Sequence, residues 1–213
     1  MVKLEERLEE IVSRSTYQTA RKEWISSQID HEKPLYNYRL DHVKEVVRVA
    51  KILVEHEDGD KEVVIPAAWL HDVAKPGLGG VKKHGIKSAE KAREILKDIG
   101  ISDDLVEKIT VSIAKHVGLF LDSPLDPLEA QILWEADKLV KLGSTGLIHY
   151  FINSIKIWPG RTLSDIKKGL DEYTITARKI ASSMHTTTAK EMAKIRLQTV
   201  ESFVTSLSEE LGM

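Results

Sequence analysis

Four residues in this chain combine metal-binding side chains with strongly apolar surroundings. His42 lies in RLDHVKEVV, His71 and Asp72 are adjacent in AAWLHDVAK, and Asp137 lies in ILWEADKLV. An ionised carboxylate in an apolar run is costly unless it is paired with a cation or binds a metal. Adjacent helical residues point about 100° apart, so His71 and Asp72 can both reach one ion beyond a helix end. Imidazole and carboxylate ligands suit Mn, Fe, Co, Ni or Zn rather than Ca.

Each of these residues also has a structural interpretation. A single His on a buried helix is more often hydrogen-bonded within the core than bound to a metal. Asp137 could instead form a salt bridge with Lys138 or Lys141. His116, in VSIAKHVG, is the third His that we place in a buried helix. The remaining five lie in loops or have ordinary structural explanations: His31, His56, His84, His149 and His185.

Three cations are placed where they could bind a phosphate. Each lies three or four residues from a candidate ligand and therefore shares its helix face: Arg39, Lys75 and Lys141. Such cations can hold the non-reacting oxygens of a phosphate group. Because Lys and Arg make up 31 of 213 residues, these spacings also arise often by chance. Lys75 is the strongest candidate, and we assign it both a catalytic and a substrate-binding role.

Hydrophobic periodicity near 3.6 residues predicts an all-α fold with about eight to ten helices. Pro66 is tolerable in a first turn, and Pro76 marks a helix end. Ser102 is a predicted N-cap, and Asp126-Pro127 a predicted helix start with Pro in the first helical position. Helices are predicted over residues 4–28, 37–55, 64–74, 87–98 and 102–115, in a segment carrying Asp137, and in three further segments separated near 158–160 and 183–187.

A Gly-rich stretch, PGLGGVKKHG, follows the third predicted helix. It lacks the spacing of a phosphate-cradling Walker loop, so we interpret it as a flexible connection near the site.

Overall composition is that of an ordinary globular protein, with 42% apolar and 30% charged residues and a net charge of -2. We therefore expect neither nucleic acid nor an anionic membrane as a partner. With no Cys, no signal peptide and no long apolar run, we expect a cytoplasmic protein.

The chain contains His42, then WLHDVAK, then EADKL, and this order of blocks resembles the sequence pattern of the HD-domain superfamily of metal-dependent phosphohydrolases. Between these blocks, KHGIKSAEKAREIL and SIAKHVG extend the resemblance over about residues 36–155. It implies a compact all-helical bundle, which we predict to be one domain over 1–213 with residues 1–35 and 156–213 as flanking helices on the core. The metal ligands that it implies are His42, His71, Asp72 and Asp137.

Some branches of this family hold a second metal through two additional His residues. Those residues would be His84 and His116 in this chain. Both could instead orient substrate, and His84 could be an exposed loop residue. The sequence therefore predicts one or two divalent transition-metal ions.

The chain also departs from one subgroup of the family, whose sequence around the last ligand resembles DADRLDALGAIGIAR. Val140 stands where that subgroup has an Asp, and His149 stands where it has an Arg, so the substrate preference is left open.

The resemblance implies hydrolysis of a nucleotide or other small phosphate ester by a metal-activated water, as a phosphomonoesterase, phosphodiesterase or nucleotide hydrolase. Asp72 or a nearby imidazole would accept the proton, and Lys75 would stabilise the developing charge. Two alternatives stay open: an inactive domain that binds a nucleotide or partner, and an oxygenase-type relative with two irons. The C-terminal helices could complete the core, cover the site or form a homodimer face.

Overall fold

The structure is a computed structural model that describes residues 2–25, 36–75 and 84–212. Within these ranges the chain forms nine helices and no strands, which confirms the predicted all-α class and the predicted number of helices. None of these helices has the length and apolarity required to cross a bilayer. The helices are α1 (Val2–Ile25), α2 (Tyr38–His56), α3 (Lys61–Leu70), α4 (His84–Asp98), α5 (Asp103–Lys115), α6 (Leu128–Leu139), α7 (Gly143–Ile157), α8 (Leu163–Ser182) and α9 (Thr187–Glu210).

The chain divides into two compact units. The first comprises Met1–Gly118 and Pro124–Ala136, and the second comprises Leu119–Ser123 and Asp137–Met213. In the first unit, α3 packs against α1, α2 and α5, and α4 packs against α5. In the second unit, α9 packs against both α7 and α8. The single domain expected from the sequence stays a prediction.

Two side-chain caps begin the helices that lead into the candidate site. Asn37 caps α2 by accepting a hydrogen bond from the Leu40 amide, and Asp60 caps α3 by accepting one from the Glu62 amide at 2.8 Å. Such caps satisfy amides that have no partner within the helix. Every residue of α3 from Val63 to Leu70 is buried, so this helix is the centre of the first unit's core.

Helix α3 differs from its predicted range at both ends. It begins at Lys61 rather than at residue 64, so Pro66 lies beyond the first turn and cannot donate a hydrogen bond to the preceding turn. It ends at Leu70 rather than at residue 74, and tighter turns follow: the Val73 amide bonds to the Leu70 carbonyl, and the Lys75 amide to the Asp72 carbonyl. The His-Asp pair therefore follows the helix instead of lying inside it.

Of the next three helices, α4 and α6 begin at residues other than the predicted ones, whereas the predicted N-cap residue of α5 is confirmed. Helix α4 begins at His84, so this residue is helical and not in a loop; residues 76–83 of the Gly-rich stretch lie outside the described residues. Ser102 occupies the N-cap position of α5, but its side chain makes no capping bond. Helix α6 begins at Leu128, so Pro127 precedes the first turn instead of lying in it.

The second unit follows the predicted segmentation, with breaks between Ile157 and Leu163 and between Ser182 and Thr187. Thr162 and Asp165 form a reciprocal capping box at the start of α8, which satisfies two amides at once. The Tyr173 hydroxyl of α8 donates a hydrogen bond to the Lys141 carbonyl. These contacts fix the start of α8 and tie its middle to the chain just after α6.

Candidate metal centre

His71 is the C-cap residue of α3, directly after the last helical residue, and it is fully buried. Its Nδ1 lies 2.8 Å from the Ala68 carbonyl oxygen, one of the carbonyls that a helix end leaves without an intrahelical partner. A carbonyl oxygen can only accept, so Nδ1 must carry the proton. In the neutral ring Nε2 is then the basic nitrogen, which is the form that binds a metal.

His116 occupies the same position at the end of α5 and is 1% exposed. Its Nδ1 lies 2.5 Å from the Ile113 carbonyl oxygen, which places the proton on Nδ1 here as well. Its Nε2 is buried and has no hydrogen-bond partner among the described residues. A buried basic nitrogen of this kind is costly unless something binds it, so its surroundings fit a metal ion.

His42 brings a third imidazole to the site from α2. It is buried, and its ring centre lies 5.5 Å from that of His71. Tyr38, one turn earlier, stacks on His42 with ring centres 5.8 Å apart. His42, His71 and Asp72 offer ligand atoms that all lie within 4.8 Å of one another, and we call them the first trio.

His84, the first residue of α4, completes a second group. Its Nε2 lies 3.8 Å from Asp72 Oδ1, and its ring meets that of His116 with centres 5.3 Å apart. Asp72, His84 and His116 also have ligand atoms within 4.8 Å of one another, and we call them the second trio. Both predicted additional His residues therefore lie beside the His-Asp pair.

Gly85 explains how α4 can begin so close to the end of α5. A Cβ at this position would lie 3.0 Å from the Ala114 carbonyl oxygen and would collide with the Val117 side chain. Ser88, one turn further along α4, accepts a hydrogen bond from the Ala74 amide at 3.2 Å. The start of α4 is thus packed against α5 and bonded to the turn that follows the His-Asp pair.

Asp72 belongs to both trios, and its two carboxylate oxygens face different groups. Oδ1 lies 3.8 Å from His84 Nε2 and 3.8 Å from His116 Nε2. Oδ2 lies 3.7 Å from His71 Nε2. With one oxygen toward each ligand set, Asp72 would be able to serve as a ligand in both trios.

Lys75 is anchored to the same carboxylate. Its Nζ donates a hydrogen bond to Asp72 Oδ2 at 3.0 Å, and its side chain stays partly exposed. The spacing of three residues in the sequence thus places a cation at the edge of the first trio, as predicted. The catalytic and phosphate-binding roles assigned to Lys75 remain predictions.

Asp137 belongs to the second unit, where two lysines hold its carboxylate. Lys138 forms a short ion pair with Oδ2, and Lys141 Nζ lies 2.7 Å from Oδ1. The salt bridges that we considered as an alternative for Asp137 are therefore present, with both lysines. Ion pairing does not prevent a carboxylate from binding a metal, and the ligand role of Asp137 remains a prediction. The same holds for substrate binding by Lys141.

Arg39 forms a buried ion pair that the sequence did not reveal. Its Nη2 lies 3.6 Å from Glu23 Oε1, with the side chains 9% and 13% exposed. The pair joins α2 to α1 one turn before His42. A buried charge is retained only with such a partner, so Arg39 has a structural role beside its predicted role in substrate binding.

The remaining candidate positions lie in ordinary structural settings. His56 is exposed at the end of α2, whereas His149 is buried in α7. His185 lies between α8 and α9, and His31 lies outside the described residues. Val140, at the position where relatives carry an Asp, is buried in the second unit.

Tyr36, next to the N-cap of α2, has a perturbed acidity. Burial raises the pKa of the Tyr36 phenol well above its ordinary value, and the hydrogen bond that it donates to Asp41 raises the pKa further. Asp41 lies in the first turn of α2, where a negative charge interacts favourably with the helix dipole. The pair stabilises the start of the helix that carries His42.

Comparisons with known proteins show which family and which fold the chain resembles. Residues 39–142 match the family model of the HD domain. An HD-superfamily hydrolase from Bacillus thuringiensis has a similar structure, with a TM-score of 0.66 and 21% identity over 97% of this chain and 97% of that chain. Another, from an uncultured Thermotogales bacterium, gives a TM-score of 0.64 and 22% identity over 97% and 92%.

The structure of Bacillus subtilis YpgQ in complex with ADP is also similar, with a TM-score of 0.63 and 20% identity over 80% of this chain and 88% of that chain. At such identities the structural likeness shows a shared fold. No protein in the curated set of sequences matches this chain.

Proposed function

The chain belongs to the HD-domain superfamily, and we propose that it is a metal-dependent phosphohydrolase acting on a nucleotide or other small phosphate ester. The observation that carries the proposal is the position of Asp72 between the two trios. The alternative of an inactive binding domain would not require two sets of ligands that share one carboxylate.

The residues present fit a divalent transition metal. The two trios supply imidazole nitrogens and carboxylate oxygens, the ligands typical of Mn, Fe, Co, Ni and Zn sites. His42, His71 and Asp72 would hold one ion, with Asp137 as the further ligand that the family resemblance implies. His84, His116 and Asp72 would hold a second. The hydrogen bonds at Nδ1 of His71 and His116 orient both rings with Nε2 as the basic nitrogen.

When bound, such an ion lowers the pKa of a coordinated water and polarises a phosphoryl oxygen. The protein's own groups have separate tasks. Lys75, with its ammonium at the edge of the first trio, would bind a non-bridging phosphate oxygen and stabilise the charge that develops there. Asp72 or the more exposed imidazole of His84 would accept the proton. Arg39 and Lys141 are the further cations proposed to contact the phosphate.

The nucleotide as substrate class has two lines of support. The similar YpgQ structure contains ADP, which makes a nucleotide the first class to test. The net charge of -2 and the lack of a basic tract favour a small anionic substrate over a nucleic acid polymer. The composition of the chain is the reason that we still expect a cytoplasmic protein.

Metal analysis of the purified protein, paired with a phosphate-release assay, tests the proposal. Protein stripped with a chelator would be reloaded separately with Mn, Co, Ni, Fe or Mg and assayed on nucleoside mono-, di- and triphosphates. Added inorganic pyrophosphatase would reveal a pyrophosphate product. We expect one or two ions per chain and release of phosphate or pyrophosphate, and we expect Asp72→Ala to lose both metal and turnover.

Two results would overturn the proposal in favour of the alternatives. A protein that binds no metal and turns over no phosphate ester, yet binds a nucleotide tightly, would be a binding domain. Oxygen-dependent turnover with the spectrum of a di-iron centre would indicate an oxygenase. An Asp72→Ala variant that keeps both metal and turnover would refute the assignment of the site.

A further inference from the structure

We propose that the exposed face of α7 is an interface at which two copies of this chain pair their α7 helices in antiparallel orientation. Ile148, Phe151 and Ile155 of α7 and Trp158, the C-cap residue just past its end, follow one another at spacings of three, four and three residues. These are the spacings of the a and d positions of a heptad, the positions through which one helix packs against another. Ile148, Ile155 and Trp158 are 56%, 62% and 52% exposed, so within the part of the chain that the structure describes this row, which we call the α7 stripe, stays uncovered.

The α7 stripe is electrically neutral. Lys156 is the one Asp, Glu, Lys or Arg residue among the fifteen residues of α7, and it is 8% exposed. Arg161, which follows the helix in sequence, stacks its guanidinium over Trp158 at 4.6 Å from the ring centre. Nucleic acids and anionic membranes are bound by clusters of positive charge, which this face lacks. A neutral apolar face also meets its own copy without the like-charge repulsion that charged faces suffer.

The order of residues along the α7 stripe makes it complementary to itself. When two such helices pair antiparallel, each a position packs opposite a d position of the partner. Ile148 then faces the partner's Trp158, and Phe151 faces the partner's Ile155, so that every layer contains one isoleucine and one aromatic ring. Facing positions that alternate in size fill space better than equal ones. Parallel pairing would instead place each residue against its own copy. Layers of two isoleucines would then alternate with layers of two larger aromatic rings, such as Trp158 against Trp158.

Helix α9 widens the face. The Phe151 and Phe203 rings meet with centres 5.7 Å apart, and Phe203 is itself exposed. A Cβ on Gly143 would lie 3.2 Å from Arg196 Cβ. Because Gly143 lies beside Arg196 and Phe151 lies beside Phe203, α9 runs beside α7 in the same direction. The fifteen residues of α7 span about 22 Å, and two adjacent helices about 20 Å. A face on this scale suits an interface that buries on the order of 800 Å² per partner.

Light scattering coupled to size-exclusion chromatography tests the proposal with the full chain. We expect the wild-type protein at twice the 24.0 kDa of one chain. Ile148→Glu and Ile155→Glu should each give a monomer, because antiparallel pairing would bury the new carboxylate against apolar side chains. Ile175→Glu is the matched control: Ile175 is 55% exposed on α8 and lies half a helical turn away from Tyr173, which faces α7. This variant should remain dimeric, and circular dichroism would check the fold of all three.

Cross-linking tests the orientation, since the chain contains no Cys. In antiparallel pairing centred on residue 153, position 152 lies within about 3 Å of its own copy along the helix axis, whereas the two copies of position 148 are about 15 Å apart. We therefore expect Ile152→Cys to form a disulfide-linked dimer on mild oxidation and Ile148→Cys to remain uncrosslinked. Cross-linking of Ile148→Cys without cross-linking of Ile152→Cys would indicate parallel pairing and overturn the geometry, because a parallel pair brings the two copies of position 148 together and separates the two copies of position 152.

Several outcomes would overturn the proposed interface itself. A wild-type monomer throughout the micromolar range would do so, as would a dimer that survives both glutamate substitutions on α7. A monomer that co-sediments with phosphatidylcholine–phosphatidylserine vesicles would assign the stripe to a membrane surface instead. Loss of the dimer in Ile175→Glu, with the α7 variants unchanged, would place the interface on α8.

Discussion

His71 and His116 occupy equivalent positions in two different helices. Each is the C-cap residue that directly follows its helix, and the Nδ1 of each donates a hydrogen bond to the carbonyl oxygen three residues earlier. Their rings meet edge to face, with centres 5.2 Å apart at 89°. Two helix ends thus use orphan carbonyls to hold two imidazoles with Nε2 as the basic nitrogen, one in each trio. The predictions that follow depend on this division into two trios.

The first prediction concerns the number of bound ions. His116→Ala should lower the metal content from about two ions per chain to about one, because it removes a ligand of the second trio only. His42→Ala should remove the ion of the first trio, and Asp72→Ala should remove both. Plasma mass spectrometry on dialysed protein measures the content. His56→Ala, an exposed His on the same helix as His42, is the control and should keep both ions.

A His116→Ala variant that still holds two ions would contradict the shared-carboxylate arrangement. A wild-type protein with a single ion that His116→Ala leaves in place would show that His84 and His116 serve another purpose, such as orienting substrate.

The second prediction concerns Lys75. Lys75→Met should reduce kcat by roughly 10²-fold while the metal content stays unchanged, because the ammonium stabilises charge in the transition state. Lys75→Arg, which keeps the charge, should recover part of the rate. Steady-state kinetics and metal analysis on the same samples separate the two effects. Lys87→Met, which removes an exposed lysine from the neighbouring α4, should leave the rate unchanged. An unchanged rate in Lys75→Met would refute the role.

The third prediction separates the two interpretations of Asp137. As a metal ligand, Asp137→Asn should weaken metal affinity by about tenfold or more. Lys141→Met should leave the affinity equal or higher, because Lys141 competes for the same carboxylate oxygen. Titration against a chelating dye measures both affinities. Lys167→Met removes a comparable lysine–aspartate pair, with Asp171 in α8, and controls for the loss of a salt bridge. If Asp137→Asn leaves metal affinity unchanged and only lowers the free energy of unfolding, Asp137 is a structural ion-pair residue.

The fourth prediction concerns pH. The pKa of Tyr36 is raised, first by burial and then by its hydrogen bond to Asp41, so folding favours the protonated phenol. Its contribution to stability is complete below the unfolded pKa near 10 and is lost as the pH rises toward the folded pKa. The free energy of unfolding should therefore fall more steeply above pH ~10 in the wild type than in Tyr36→Phe. Urea unfolding at a series of pH values on both sides of pH ~10 measures this free energy for each variant. Tyr17→Phe is the control for the removal of a phenol.

The helices could be predicted from the sequence for physical reasons, whereas the residues of the two trios were singled out as a set by the family resemblance. Hydrophobic periodicity persists over whole helices, so the number and type of elements were correct even where their ends were not. Residues one helical turn apart, such as Asp72 and Lys75, are neighbours by helix or turn geometry alone. The contact between Tyr38 and His42 follows the same rule and could have been found from its spacing of four residues.

Contacts between distant segments were not visible in the sequence. Nothing near residue 70 signals the end of α3, because the stretch from Leu70 to Ala74 is compatible with a helix. The turn is held in part by Ser88, fourteen residues further on, which accepts a hydrogen bond from the Ala74 amide. The ion pair of Arg39 with Glu23 likewise depends on how α1 lies against α2. Both contacts join residues more than ten positions apart, so neither can be predicted from the pattern of neighbouring residues.

The burial of α3 links folding and chemistry in this family member. Eight consecutive buried residues, Val63 to Leu70, lead directly into His71 and Asp72. Any substitution that shifts this helix within the core also shifts the shared carboxylate, and so both trios at once. The packing of the core and the geometry of the candidate metal centre therefore depend on the same ten residues. Variation in substrate use is then expected to arise on the surrounding helices, while α3 changes slowly.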